Sequence, residues 1–121
     1  MKVTELEGVQ LDYWVAKAVG HDARIEQNEV LDCQVVFAQP FARDEFLFEP
    51  STEWAHGGPL IDQFNVDLFC EYDGTFWAQI DGPASVPESD VGAFGSTRLE
   101  AAMRCIVSSV YFGVVPDEAV A

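Results

Sequence analysis

The stretch Val66-Asp67-Leu68-Phe69-Cys70-Glu71-Tyr72-Asp73-Gly74-Thr75-Phe76-Trp77-Ala78-Gln79-Ile80 decides the fold. Runs rich in aromatic and β-branched residues flank an Asp-Gly pair, a strong short-range hairpin signal. Two registers compete. A two-residue Asp-Gly turn would pair Tyr72 with Thr75 and mix polar with apolar groups on both faces. A three-residue loop of Tyr72, Asp73 and Gly74 instead puts Gly74 where φ must be positive and pairs Glu71 with Thr75. Val66, Leu68 and Cys70 then share a face with Phe76, Ala78 and Ile80. Asp67, Glu71, Thr75 and Gln79 take the opposite face, with Phe69 across from Trp77. A one-residue slip turns every side chain over, so the need for one buried face selects the three-residue loop.

A hairpin with one apolar face needs a cover, and the sequence supplies two helices. Downstream, residues 97–112 begin with Thr97-x-x-Glu100, the spacing of a capping box. Leu99, Met103, Ile106 and Val110 form an apolar stripe, and Ala101, Cys105 and Ser108 a strip of small residues that lets another element approach. Gly113 and Pro116 end the helix. Upstream, Leu11, Trp14, Val15 and Ala18 recur at helical spacing over residues 9–19. Asp12 and Lys17 fall on its outer faces, and Gly20 stops it. Between this helix and the hairpin, Cys33, Val35 and Phe37 suggest one strand ended by Gln39-Pro40, and Phe46-Leu47-Phe48 a second. Residues 81–96 carry three early breakers and two late glycines and read as a long surface loop. The expected fold class is α+β: a small antiparallel sheet packed against two main helices. A length of 121 residues fits one domain spanning 1–121.

Charge bounds the partners. The chain has 21 acidic and 6 basic residues, net −15. That field repels phosphates, and six dispersed cations can hardly neutralise a duplex, so direct nucleic acid binding is not expected. A DNA mimic would use the same charge, but the acids are scattered singly or in short pairs, as on a solvated surface. No apolar run reaches the roughly eighteen residues of a membrane span, and the acidic N-terminus does not look like a signal peptide. These features lead to the expectation of a cytoplasmic protein. Cys33, Cys70 and Cys105 are odd in number and far apart, His21 and His56 are isolated, and neither a metal site nor a cofactor is expected.

One stretch could carry chemistry: Pro50-Ser51-Thr52-Glu53-Trp54-Ala55-His56-Gly57-Gly58-Pro59-Leu60-Ile61-Asp62. Structurally, Ser51 or Thr52 caps one helical turn, Gly57 ends it, and Pro59 opens another. Functionally, Ser51, Thr52, Trp54, His56, Gly57 and Gly58, joined by Arg104 of the last helix as an anion handle, form a candidate ligand- or partner-binding set. Its glycines make neither a dinucleotide fingerprint nor a P-loop. A Ser51, His56 and Asp62 triad lacks the nucleophile elbow that would support it. No catalytic residue is assigned. Within the set, Trp54 has the most to gain from burial, and His56, beside two glycines, is the one expected at the surface.

Three blocks together carry a resemblance. Thr4-Glu5-Leu6-Glu7-Gly8 runs into Leu11-Asp12-Tyr13-Trp14-Val15-Ala16-Lys17-Ala18, and is followed by Pro50-Ser51-Thr52-Glu53-Trp54-Ala55-His56-Gly57-Gly58-Pro59-Leu60-Ile61 and then Ala101-Ala102-Met103-Arg104-Cys105. In this order they resemble the NinX-like proteins of tailed bacteriophages and prophages, over about half of the chain. The sequence departs from that pattern at Arg98, where proline is expected, and in the length of the 81–96 segment. The resemblance implies a phage- or prophage-derived protein made in a bacterial cytoplasm and brings no catalytic residues with it. The resulting expectation is an accessory protein that binds a protein partner. The alternatives are a small-ligand binder or enzyme using residues 50–60, and an acidic DNA mimic.

Overall fold

In the computed structural model, which describes residues 1–80 and 91–116, the hairpin has the expected register. Strands β4 (Asp67–Cys70) and β5 (Phe76–Ile80) pair antiparallel, with Phe69 opposite Trp77 and Leu68 opposite Ala78. Glu71 N donates to Thr75 O at 2.9 Å. Gly74 has φ +89°, and Asp73 Oδ1 closes the turn by accepting from Thr75 N and Oγ1 at 3.0 and 2.7 Å. These two bonds also hold the Asp73 carboxyl below its usual pKa.

The other edge of β5 is paired as well. Strand β6 (Val91–Gly95) lies antiparallel to it, from Ile80 opposite Val91 to Phe76 opposite Gly95. The expected 81–96 loop is therefore corrected over its last part, while residues 81–90 lie outside the described residues. The late glycines are not breakers but sites of close approach. A Cβ on Gly92 would run into the Trp77 indole, and one on Gly95 into the backbone of Ala101. Phe69, Trp77 and Phe94 stand side by side across the outer face, with the Trp77 and Phe94 rings 4.6 Å apart.

Helix α3 (Arg98–Tyr111) packs on the inner face of this sheet. Thr97 Oγ1 accepts from Glu100 N at 3.0 Å, the first half of the expected capping box. For the second half, Glu100 Oε1 accepts from Ser96 N at 3.0 Å, one residue before the cap, in place of Thr97 N. The small-residue strip works as read: Ala101 sits against Gly95, and the Cys105 thiol, its pKa pushed up to about 12 by burial, reaches Val91 O at 3.4 Å. Phe112 at φ 58° and Gly113 at φ +88° end the helix. Leu99, Met103 and Ile106 are buried, but Val110 is exposed and leaves the stripe.

Helix α1 (Gly8–Ala18) lies against α3, with Trp14 edge-on to Tyr111 at 5.3 Å. Asp12 is not on an outer face but buried. A second three-stranded antiparallel sheet joins β1 (Asp22–Asn28), β2 (Cys33–Gln39) and β3 (Phe46–Leu47) in that order. The class is α+β as expected. The architecture is two three-stranded sheets and three α-helices, the third being α2 (Trp54–Phe64).

Candidate functional site

The site is built where the chain leaves β3 and enters α2. Residues 49–53 form a tight turn in which Thr52 N and Glu53 N both donate to Glu49 O, at 3.2 and 2.8 Å. Pro50 is fully buried, and Ser51 is 7% exposed. Asp12 of α1 anchors this turn from below, its Oδ1 accepting from Ser51 N at 2.8 Å. Burial raises the Asp12 pKa to about 7, a rise opposed by the Ser51 hydroxyl and amide and assisted by Glu49. The Ser51 hydroxyl is near enough to favour the carboxylate but outside hydrogen-bond geometry, so its oxygen is buried without a partner.

From Trp54 the helix runs unbroken through Gly57-Gly58-Pro59 to Phe64, so the expected break at Gly57 does not occur. Gly57 is the contact point of α2: a Cβ there would lie 2.5 Å from Pro50 O and 2.7 Å from Leu99 Cδ2. Gly57 and Leu60 point inward and carry the packing. Trp54, one turn before Gly57, reaches the surface beside the start of α3 and is 53% exposed, contrary to the expectation that it is the core residue of the pair. His56 is half-buried rather than exposed. Its Nδ1 accepts from Glu49 N at 2.9 Å, and its ring stacks on Phe48 at 6.0 Å and meets Phe46 edge-on at 6.1 Å. An accepting Nδ1 places the proton of the neutral ring on Nε2.

Arg104 is also a structural residue. Its Nε donates to Leu6 O at 2.8 Å and its Nη1 to Phe94 O at 3.0 Å, with Glu100 Oε1 at 3.2 Å. It ties the N-terminal segment and β6 to α3, which commits its Nε and Nη1 to protein oxygens.

What the fold does bring together is a cleft of about 420 Å³, lined by Ser51, Thr52, Trp54, Phe76, Ser96, Thr97, Arg98 and Leu99. Ser51, Thr52 and Trp54 of the expected set line it. His56, Gly57, Gly58 and Arg104 do not. The cation in the wall is Arg98, whose guanidinium lies 4.6 Å from the Phe76 ring centroid. Phe76 and Leu99 were legible only as members of the apolar faces of the hairpin and the last helix, and Ser96 carried no signal of its own. Thr97 was readable as a cap, and Arg98 stood out only as a departure from the resemblance. Among the described residues, no three His, Cys, Asp or Glu side chains gather as metal ligands would, and no helix is long and apolar enough to cross a membrane.

An acidic α+β chain with an aromatic and hydroxyl-lined cleft where the starts of two helices meet is the class these features define. Its family is a bacteriophage one: the chain belongs to the family described as Bacteriophage P22, NinX, which matches residues 2–109. No curated protein matches the chain.

Proposed function

We propose that this phage-family chain is an accessory protein that acts by binding a protein partner, with the cleft between residues 51–54 and the first turn of α3 as its recognition site. The observation that carries the reading is Trp54. An indole left half-exposed at the mouth of a cleft is the kind of rigid, amphipathic anchor on which binding energy concentrates. Hydroxyls of Thr52, Ser96 and Thr97 and the guanidinium of Arg98 line the same cleft and supply the polar contacts that orient a bound group. A volume of about 420 Å³ also falls in the range of small-molecule pockets, which supports a free ligand as the second reading.

Site-specific photo-crosslinking tests the proposal. Benzoylphenylalanine in place of Trp54, in protein made in its bacterial host, is expected to give one adduct of defined mass. The same group in place of Val30, which is 94% exposed in the β1 to β2 turn, is expected to give none. The same adduct from both positions, or none from position 54, would overturn the reading.

A further inference from the structure

Two arginines of this chain lie over phenylalanine rings. Arg24 lies 4.7 Å from the Phe37 centroid and Arg98 lies 4.6 Å from that of Phe76. With one face of a guanidinium on a ring, its in-plane N–H groups are presented edge-on, the geometry that takes a carboxylate through two parallel bonds. Arg24 does this: its Nε and Nη2 donate to the two oxygens of Glu45 at 3.2 and 2.7 Å. Arg98 likewise lies over a ring, and among the described residues no carboxylate is paired with it. Resting on the protein-partner reading above, we propose that the cleft binds the free C-terminal carboxylate of a partner polypeptide, held by Arg98 as Arg24 holds Glu45, with an apolar last side chain against Trp54.

The surroundings agree with this chemistry. Thr97 Oγ1 satisfies Glu100 N, which leaves the amides of Arg98 and Leu99 as open donors of the first turn of α3. These favour a compact anion beside the guanidinium. The net charge of −15 selects the kind of anion. A polyanion would meet that repulsion along its whole length, whereas a single carboxylate is governed by the arginine it touches. Trp54 and Leu99 give the body attached to the carboxylate an apolar wall, which a terminal residue with a large apolar side chain would fill.

The test is a titration of isotope-labelled protein with two synthetic peptides ending in phenylalanine, one as the free acid and one as the C-terminal amide. The free acid is expected to bind on the order of tenfold more tightly, the effect of a charge-assisted pair, and to shift the Arg98 and Leu99 amides and the Trp54 indole N–H. Arg98→Gln should bring the acid down to the affinity of the amide, while Trp54→Ala should weaken both. Equal binding of acid and amide, or an acid preference that survives Arg98→Gln, would overturn the carboxylate assignment even if crosslinking at position 54 succeeds. If N-acetylphenylalanine binds as tightly as the peptide, the carboxylate belongs to a small molecule and the polypeptide assignment falls. Displacement of the peptide by an equal concentration of inorganic phosphate would likewise count against it.

Discussion

Asp12 lies on α1 with 5% of its surface exposed, and its carboxylate accepts the Ser51 amide. Burial raises its pKa from 3.8 to about 7, so over that interval the folded chain retains a proton that the unfolded chain has lost. Where the folded state binds more protons, stability falls as pH rises. Asp12 therefore stabilises fully below about pH 4 and loses its contribution as pH climbs through about 7, a loss on the order of a few kcal/mol. Asn at this position keeps an acceptor for the Ser51 amide and cannot ionise. Urea denaturation of Asp12→Asn should match the parent near pH 4 and exceed it in stability at pH 8, and a constant difference across that range would refute the assignment. Trp54 and His56 make a second pair of expectations. Trp54→Ala removes a half-exposed ring and should cost about 1 kcal/mol, well short of a core truncation. His56→Ala leaves the Glu49 amide without its acceptor and strips a ring from Phe48, so it should cost about 1–3 kcal/mol. Thermal melts of the two variants rank them, and a reversed order would restore Trp54 to the core.

At the scale of elements, what was legible in the sequence is what local chemistry dictates. Asp73-Gly74 and the alternation around it left one register with a buried face, and Thr97 with Glu100 marked the start of α3. β1 was missed because Asp22-Ala23-Arg24-Ile25-Glu26-Gln27-Asn28 has one β-branched residue. It is a strand because β2 pairs with it from Asp22 opposite Gln39 to Asn28 opposite Cys33, and a pairing partner is not a local property. β6 was missed for a different reason. Gly92 and Gly95 break strands by propensity, yet here they make room for Trp77 and for the backbone of α3. The break expected at Gly57 failed in the same way, since the glycine is needed by Pro50 and Leu99 rather than by a turn. The candidate site was half legible for this reason. Ser51, Thr52 and Trp54 are close in sequence and could be grouped, whereas Phe76 and Arg98 reach the cleft only through the packing of β5 and α3. Trp54 and His56 were assigned to opposite environments because helix spacing gives the angle between two side chains but not which of them faces inward. That orientation is set by the contact at Gly57.

On the scale of the whole molecule, charge is the dominant constraint. Of the six cations, Arg24 is held by Glu26 and Glu45 and Arg104 by Glu100 and two carbonyls, so few remain to offset 21 carboxylates. Folding brings those carboxylates closer together than they lie in the extended chain, and their mutual repulsion opposes the compact state. The Debye length shrinks from about 30 Å at 0.01 M salt to about 10 Å at 0.1 M. Most of the repulsion between acids on different faces is therefore screened within that interval, whereas a contact such as Arg24 with Glu45 is screened much less. The melting temperature should accordingly rise by several degrees between about 0.01 and 0.1 M sodium chloride and then level off, without the continued linear climb of a salting-out effect. Near pH 4, where many carboxylates are neutral, the same salt interval should produce a much smaller rise. A melting temperature that is flat or falling with salt at pH 7 would mean that ion pairs outweigh the repulsion.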